Sequence, residues 1–459
     1  MSTAPAQQPS RAEQPHLMGR STRGEEPDAA GHARPAGTRS PWRPIVSGPL
    51  GERALRAVGS IATASSKPST GERRDPSLSG GLSGLAVLHA FLERAEGSGR
   101  HEDLARSYLG ESIELLAAQP LGASLYAGFT GVAWAAELVD GLLGSDGDDP
   151  NEAIDDLLSR LLARQDWDRA SYDLIYGLTG LGVYALQRWP RPSAADHLEL
   201  VVERLGERAR HDEYGSYWWT SPALFLNPSQ QERYPSGGVD LGVAHGVAGV
   251  IALLTCVHRL GLAEATTYPL LLGAVRWLLR HAVPTGTGPT IPYLIAPGVP
   301  SVPARSAWCY GDPGVAAALL LASHSTGDAA LERTAVALAC RAAERPIGET
   351  GVTDGGFCHG SAGLAHLFNR MYQATREPKL ADAALLWLEH TLEQCERAEG
   401  ELTVRPGRAR RHVPWNGAGL LEGAAGVALA LLAAATPIEP IWDRMFLVSG
   451  PDPEVGNGR

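Results

Sequence analysis

The chain has 459 residues, 44 % of them apolar, and a formal net charge of −11. Residues 1–75 hold 11 Lys/Arg against 7 Asp/Glu, so the remainder is more acidic than the total suggests. An acidic body argues against nucleic-acid binding, which requires a basic surface. No apolar run is long enough for a membrane span, and the N-terminus lacks the apolar core of a secretory signal. The five scattered cysteines favour free thiols or a metal site in a reducing cytoplasm over disulfides.

Two terminal tails flank the predicted folded part. Residues 1–75 are rich in Pro, Arg, Ser, Gly and Ala without sustained apolar periodicity, which predicts a largely disordered tail. Within it, only Trp42–Val46 and Ala54–Ile61 have the composition to dock locally. From about Pro76, apolar helix-forming segments alternate with Gly and Pro. We therefore expect one catalytic domain at residues 76–448, followed by a short tail at 449–459.

A Gly-x-x-Gly pair followed by small and aliphatic residues occurs seven times. The pairs begin at Gly81, Gly128, Gly177, Gly246, Gly311, Gly360 and Gly423. Their spacing leaves room for two helices and a loop in each interval, as in helical-hairpin repeats. We expect each pair at the first turn of an inner helix, where the missing side chains allow close approach, and the charged amphipathic segments in an outer layer. Seven such helix pairs can stack as an open superhelix or close into a ring.

Aligning the repeats on the first glycine groups the polar residues. The preceding residue is in turn Gly80, Ala127, Tyr176, His245, Tyr310, His359 and Glu422, and repeats five and six carry Cys309 and Cys358 one position earlier. If the inner helices run in the same direction, these positions meet at one end. Cys309, Cys358 and His359 then form a three-donor set for Zn²⁺ that leaves a fourth coordination position open. The other three cysteines are interpreted as small buried residues, and Glu422 as a helix-capping residue.

Four segments resemble motifs of the lanthionine synthetase C-like family. They are Tyr172-Asp-Leu-Ile-Tyr-Gly177, Leu241-Gly-Val-Ala-His-Gly246, Ser306-Ala-Trp-Cys-Tyr-Gly311 and Cys358-His-Gly360. Together with the glycine series, the similarity extends over about residues 76–448. The resemblance implies an all-α fold, a closed α/α toroid of seven inner and seven outer helices. It also implies a zinc ion bound by Cys309, Cys358 and His359.

The same resemblance places His245, Asp173, Arg305 and Tyr310 at the active site. It implies a lanthipeptide cyclase that adds cysteine thiolates of a dehydrated precursor peptide to dehydroalanine or dehydrobutyrine. His245 is then the acid/base, because an imidazole exchanges protons near neutral pH, and Asp173 orients or charges it. Arg305 is expected to hold the enolate oxygen or Asp173. Tyr310 is expected to position water or substrate.

Partners and rival functions follow from the same residues. We expect a cytoplasmic enzyme, acting alone or at the periphery of a membrane-associated complex with a separate dehydratase and exporter. A relative that adds glutathione or another thiol would share every residue named above. A helical-repeat binding protein with a structural zinc would need a fourth protein ligand. A toroidal prenyltransferase or terpene cyclase would need Asp-rich motifs, which the inner-helix positions lack. The aromatic segment Tyr214–Leu226 is interpreted either as a peptide grip or as a lid.

Overall fold

The computed structural model describes residues 42–65, 74–119, 121–144, 147, 149–164, 167, 170–225, 227–286, 288–404 and 417–451, with only the backbone of 399–404. Most of each predicted terminal tail lies outside these residues. The helices are α1 (Gly48–Ser65), α2 (Leu82–Glu96), α3 (Arg100–Ala118), α4 (Phe129–Leu143), α5 (Glu152–Leu162), α6 (Leu178–Arg188), α7 (Pro192–Arg208), α8 (Pro228–Arg233), α9 (Val247–Arg259), α10 (Glu264–Arg280), α11 (Asp312–Thr326), α12 (Ala329–Ala343), α13 (Ser361–Thr375), α14 (Pro378–Val404) and α15 (Ala424–Ala435). None of them is both long and apolar enough to cross a membrane.

The seven helices that begin at glycine pairs form a closed inner ring. Each of α2, α4, α6, α9, α11 and α13 contacts the next one in the series, and α15 contacts both α13 and α2. The charged helices α3, α5, α7, α10, α12 and α14 form the outer layer. Inner helices such as α9 are apolar on every side and almost completely buried, as expected of a helix enclosed by others. The predicted all-α toroid is therefore confirmed, and the closed ring, not the open superhelix, is the correct alternative.

The seventh outer helix comes from the beginning of the chain. Helix α1 packs on α15 and α14, so it occupies the outer position beside the last inner helix. Trp42 is 4 % exposed, and its indole N–H donates to the carbonyl oxygen of Ala433 at 2.8 Å. The backbone N–H groups of Ile45 and Val46 both donate to Ala434. Residues 42–65 thus complete the toroid, although they precede the first glycine pair.

The glycine pairs allow a turn to pack closely against each inner helix. The first glycine is the N-cap residue in all seven, for example Gly246 of α9. A Cβ atom on the second glycine would collide with the carbonyl oxygen six positions earlier, at 1.8 Å for both Gly131 and Gly363. We predicted close approach between neighbouring helices at these positions. The structure shows instead that the main contact is with the turn that precedes the same helix.

These turns are joined by backbone hydrogen bonds around one end of the ring. We call this end, where the inner helices begin, the mouth. The bonds run between successive repeats, from Leu174 to Ala244, Val243 to Cys309, Cys309 to Cys358, Cys358 to Leu421, Leu421 to Ser79 and Ser79 to Tyr126. Because the turns are linked edge to edge, residues at the same repeat position become spatial neighbours. This arrangement brings the residues before each glycine pair together, as the repeat alignment predicts.

Short strands occur in the two long connections on either side of the α9–α10 helix pair. They pair antiparallel as β1 (Arg210–Asp212) with β2 (Gly215–Tyr217), β3 (Val239–Asp240) with β6 (Leu294–Ile295), and β4 (Val283–Thr285) with β5 (Gly288–Thr290). In the aromatic segment, Trp218 is fully buried and its indole N–H donates to Leu205, whereas Tyr214 is 37 % exposed. Part of that segment is therefore core.

The C-terminal segment, residues 436–451, packs inside the ring. The ring of Phe446 lies 4.0 Å from Phe357 and 4.9 Å from Trp308 between centroids. The indole N–H of Trp308 donates to the Phe446 carbonyl at 2.8 Å, and the Tyr126 hydroxyl donates to the Met445 carbonyl at 2.8 Å. Trp308 and Phe357 each directly precede a predicted zinc ligand. The C-terminal segment therefore supports the turns that carry the candidate metal ligands.

Replacing Phe446 by alanine should lower the free energy of unfolding by about 3–5 kcal/mol, as is typical of removing a fully buried phenylalanine ring. The measurement is equilibrium urea unfolding. Leu55→Ala is the matched control, because Leu55 on α1 is 44 % exposed and its truncation should cost less than about 0.5 kcal/mol. Equal stability of the two variants would contradict a core role for the C-terminal segment.

Candidate metal centre

Two turns at the mouth bring Cys309, Cys358 and His359 together. Cys309 lies three residues before Asp312, the first residue of α11, and Cys358 and His359 lie just before α13. The potential ligand atoms of the three side chains all lie within 4.8 Å of one another. The ligand atoms of a tetrahedral zinc site are about 3.5–4 Å apart, given its bond lengths. Two sulfurs and one imidazole at this separation therefore fit a zinc ion with small side-chain adjustments.

The two thiols compete for a single negative charge. The pKa of Cys309 is lowered to about 5, mainly because the Cys358 thiol hydrogen-bonds to its sulfur, with a further contribution from His359. The pKa of Cys358 is raised well above its usual value, mainly because its thiol is hydrogen-bonded to Cys309, and also because burial and the nearby Cys309 thiolate disfavour a second charge. A divalent cation would remove this repulsion, since it stabilises both thiolates at once. The electrostatics of the donor set thus favour a bound metal.

Carboxylates flank the histidine of this group. The His359 Nε2 atom lies 3.5 Å from Asp354 Oδ2 and 4.0 Å from Glu422 Oε1. Asp354 is itself held by the Gly356 N–H, which donates to its Oδ1 at 2.8 Å. Metal-binding histidines commonly have a carboxylate partner that fixes the ring orientation. Asp354 is suited to this role, and Glu422, which we interpreted as a capping residue, lies beside it.

His245 and Asp173 form a hydrogen-bonded pair at the same mouth. The Nδ1 atom of His245 lies 2.6 Å from Asp173 Oδ2. Asp173 Oδ1 accepts the backbone N–H of Tyr176 at 2.7 Å, so the same carboxylate also stabilises the turn before α6. Burial lowers the pKa of His245, but the hydrogen bond and charge of Asp173 outweigh it, and the pKa is raised above 6.5. Because Nδ1 is engaged, Nε2 is the nitrogen left to exchange protons with a substrate.

Two tyrosines enclose the His245 ring. Its centroid is 6.0 Å from that of Tyr176 and 6.1 Å from that of Tyr310, with small interplanar angles. The Tyr310 hydroxyl donates to Asp240 Oδ2 at 2.9 Å. Burial raises the pKa of the Asp240 carboxyl to about 6. Tyr310, which follows Cys309 in the chain, therefore connects the turn that carries Cys309 with the His245 ring.

Arg305 and Asp173 have different hydrogen-bond partners. Its Nε–H donates to the hydroxyl of Tyr293 at 2.9 Å, whereas the Asp173 oxygens bind His245 and the Tyr176 N–H. The positive charge of Arg305 contributes to the lowered pKa of Cys309. The guanidinium therefore acts on the thiols through its charge, and its side-chain hydrogen bond goes to Tyr293 and not to Asp173.

Comparison with known proteins shows the family and the fold of the chain. The family described as "Lanthionine synthetase C-like protein" matches residues 72–447. The chain belongs to the lanthionine synthetase C-like family. It is 22 % identical to the nisin biosynthesis protein NisC of Lactococcus lactis subsp. lactis over 379 residues, which is 77 % of this chain and 84 % of that protein. The solved structure of nisin cyclase has the same fold, with a TM-score of 0.68, 19 % identity, and coverage of 86 % of this chain and 98 % of that one.

Four residues at the mouth of this lanthionine synthetase C-like protein have no role in the sequence-based prediction. They are Tyr176, Asp240, Tyr293 and Asp354. Two of them, Asp240 and Asp354, occupy a second shared position in the repeat alignment. The residue six positions before the first glycine is Asp75, Ser171, Asp240, Arg305 and Asp354 in repeats one, three, four, five and six. The sequence held no comparable signal for Tyr293, because it lies in an insertion outside the repeats.

Proposed function

We propose that this protein is a zinc-dependent lanthipeptide cyclase. It would join a cysteine of a dehydrated precursor peptide to dehydroalanine or dehydrobutyrine through a thioether. The observation that carries the proposal is the three-donor group Cys309, Cys358 and His359 at the same mouth as the His245–Asp173 pair. A metal-activated thiol and a proton-exchanging histidine are the two components that such an addition needs. The similarity to a nisin biosynthesis protein supports this substrate class.

The reaction adds S–H across a carbon–carbon double bond. A zinc ion held by the three ligands would lower the pKa of a substrate thiol at its open position. The C–S bond forms at the β-carbon, the π electrons move onto the α-carbon and its carbonyl, and the thiol proton leaves to solvent. His245 would supply a proton from Nε2 to the α-carbon, and Asp173 would stabilise the protonated ring. Arg305 would stabilise the enolate oxygen, as a positioned cation does for developing negative charge.

Two alternative functions differ from the proposed one, the first in the number of protein ligands to the metal and the second in the substrate. A structural zinc would be saturated by four protein ligands, whereas the group that could hold a metal in the described part of the chain has three. This observation supports a site with an open position. A thiol-adding relative would use the same site with glutathione in place of a peptide cysteine. We propose the peptide substrate, dehydrated beforehand by a separate enzyme in the cytoplasm.

The proposal is tested by incubating the zinc-loaded protein with a dehydrated, cysteine-containing precursor peptide. Cyclisation should remove free thiols while the peptide mass stays unchanged, and tandem mass spectrometry should locate the rings. A chelator should stop the reaction, and added zinc should restore it. A parallel reaction with glutathione and the same peptide is the control. Faster formation of glutathione adducts than of rings would favour the thiol-adding relative instead.

A further inference from the structure

We propose that Tyr293 is a positioning residue that orients the Arg305 guanidinium at the mouth. The inference rests on the proposed function for its consequence on rate, but the contact itself can be tested independently. Tyr293 lies between β5 and β6, in the insertion that follows α10 and belongs to none of the repeats. It is therefore an addition to the repeated scaffold.

The contact fixes one edge of the guanidinium. The Arg305 Nε–H donates to the Tyr293 hydroxyl at 2.9 Å. This bond uses the Nε–H group only, so it leaves the terminal N–H groups of the planar guanidinium for other partners. Arginine has a long side chain with many rotamers, and a bond at Nε restricts them before substrate arrives. A cation that is already oriented stabilises developing charge without a reorganisation cost.

Tyr293 is itself held from two sides. Its ring lies 4.9 Å from that of Tyr310, which contacts the His245 ring in turn. Tyr293 also packs against a small separate core, here called the loop cluster, formed by Phe225, Tyr234 and Leu294. The backbone carbonyl of Tyr293 also accepts the N–H of Leu241 at 3.1 Å. The insertion is thus anchored to the β3 turn, and it presents the Tyr293 hydroxyl to Arg305 from a fixed position.

The arrangement connects the three parts of the mouth. Tyr310 follows the metal ligand Cys309 and lies against His245, while Tyr293 lies against Tyr310 and bonds to Arg305. The proton donor and the oxyanion-binding cation are therefore positioned by one pair of packed tyrosine rings. The geometry predicts that removal of the Tyr293 hydroxyl affects only the Arg305 side of this arrangement.

The test is a double-mutant cycle with Tyr293→Phe and Arg305→Lys on the zinc-loaded protein and a dehydrated peptide. Tyr293→Phe should lower kcat about tenfold with little change in KM, because the oriented cation acts mainly on the transition state. In the Arg305→Lys background, where the Nε–H group is absent, Tyr293→Phe should lower kcat by less than about twofold. Tyr234→Phe is the matched control, since it removes a hydroxyl from the loop cluster at a ring that packs on Phe225. All variants should retain the same zinc content.

A second readout does not require the activity. In protein labelled with ¹⁵N-arginine, the Arg305 Nε–H resonance, assigned by its loss in Arg305→Lys, should exchange slowly with solvent. It should exchange much faster in Tyr293→Phe and stay unchanged in Tyr234→Phe. Should the wild-type protein form no rings while this resonance behaves as described, the proposed function fails and the positioning role stands. Additive effects in the cycle, or an unchanged resonance in Tyr293→Phe, would overturn the inference.

Discussion

Replacing Cys309 by alanine should leave a folded protein that no longer holds zinc tightly and closes no thioether rings. Removing a residue that only hydrogen-bonds to a metal ligand typically weakens metal binding about 10- to 100-fold. Removing a ligand itself should therefore weaken zinc binding more than about 100-fold. Cyclisation should fall at least as far. A free thiol is only a few per cent ionised at neutral pH, and the peptide thiol would also lose its positioning.

The fold should survive this substitution because the turn is held by its backbone. The Cys309 N–H donates to Cys358, and its carbonyl accepts the N–H groups of Val243 and Ala244, all of which alanine preserves. Zinc content by elemental analysis and affinity by chelator competition are the measurements. Cys340→Ala is the control, since Cys340 lies on the outer helix α12. A full equivalent of tightly bound zinc in the Cys309→Ala protein would refute the three-ligand centre.

Replacing His245 by asparagine should slow cyclisation about 10²- to 10⁴-fold, the usual contribution of a general acid or base, with zinc binding retained.

Replacing Asp173 by asparagine should instead shift the pH dependence of the cyclisation rate. Asp173 raises the pKa of His245, so the protonated imidazole persists to higher pH. Without that charge, burial lowers the pKa of His245. The rate should then decline at lower pH than in the wild-type protein, because the proton donor is lost as pH rises through its pKa.

The pH profile of kcat under saturating peptide measures this shift. Glu264→Gln is a matched control, because Glu264 pairs with His258 at 2.8 Å, on α10 and α9, outside the predicted site. It should leave the profile unchanged. A His245→Asn enzyme with more than about one tenth of the wild-type kcat would show that another group supplies the proton.

The repeat pattern predicted most of the architecture because it is local. A glycine pair followed by an apolar run specifies where a helix begins, and seven such pairs specify seven equivalent turns. Equivalent turns in a closed ring are neighbours, so Cys309, Cys358 and His359 could be grouped without any three-dimensional information. The resemblance to the family added closure of the ring and the pairing of His245 with Asp173.

What remained hidden depends on contacts between distant parts of the chain. Helix α1 carries no glycine pair and lies in a Pro- and Arg-rich region, so only its packing on α15 reveals it as the seventh outer helix. The Tyr293 hydroxyl meets Arg305 only because an insertion outside the repeats reaches the mouth. Asp240 and Asp354, by contrast, share a repeat position six residues before the first glycine, and the tertiary structure decides only what they contact.

The sequence by itself therefore determined the number of repeats, the inner helices and the set of candidate metal ligands, since each follows from spacing along the chain. Only the tertiary structure decided how the ring is completed by α1, how the C-terminal segment packs beneath Trp308 and Phe357, and which groups hold the reactive side chains. The physical reason is that periodicity specifies local backbone geometry. Burial and hydrogen bonding between distant segments depend instead on the shape of the whole fold.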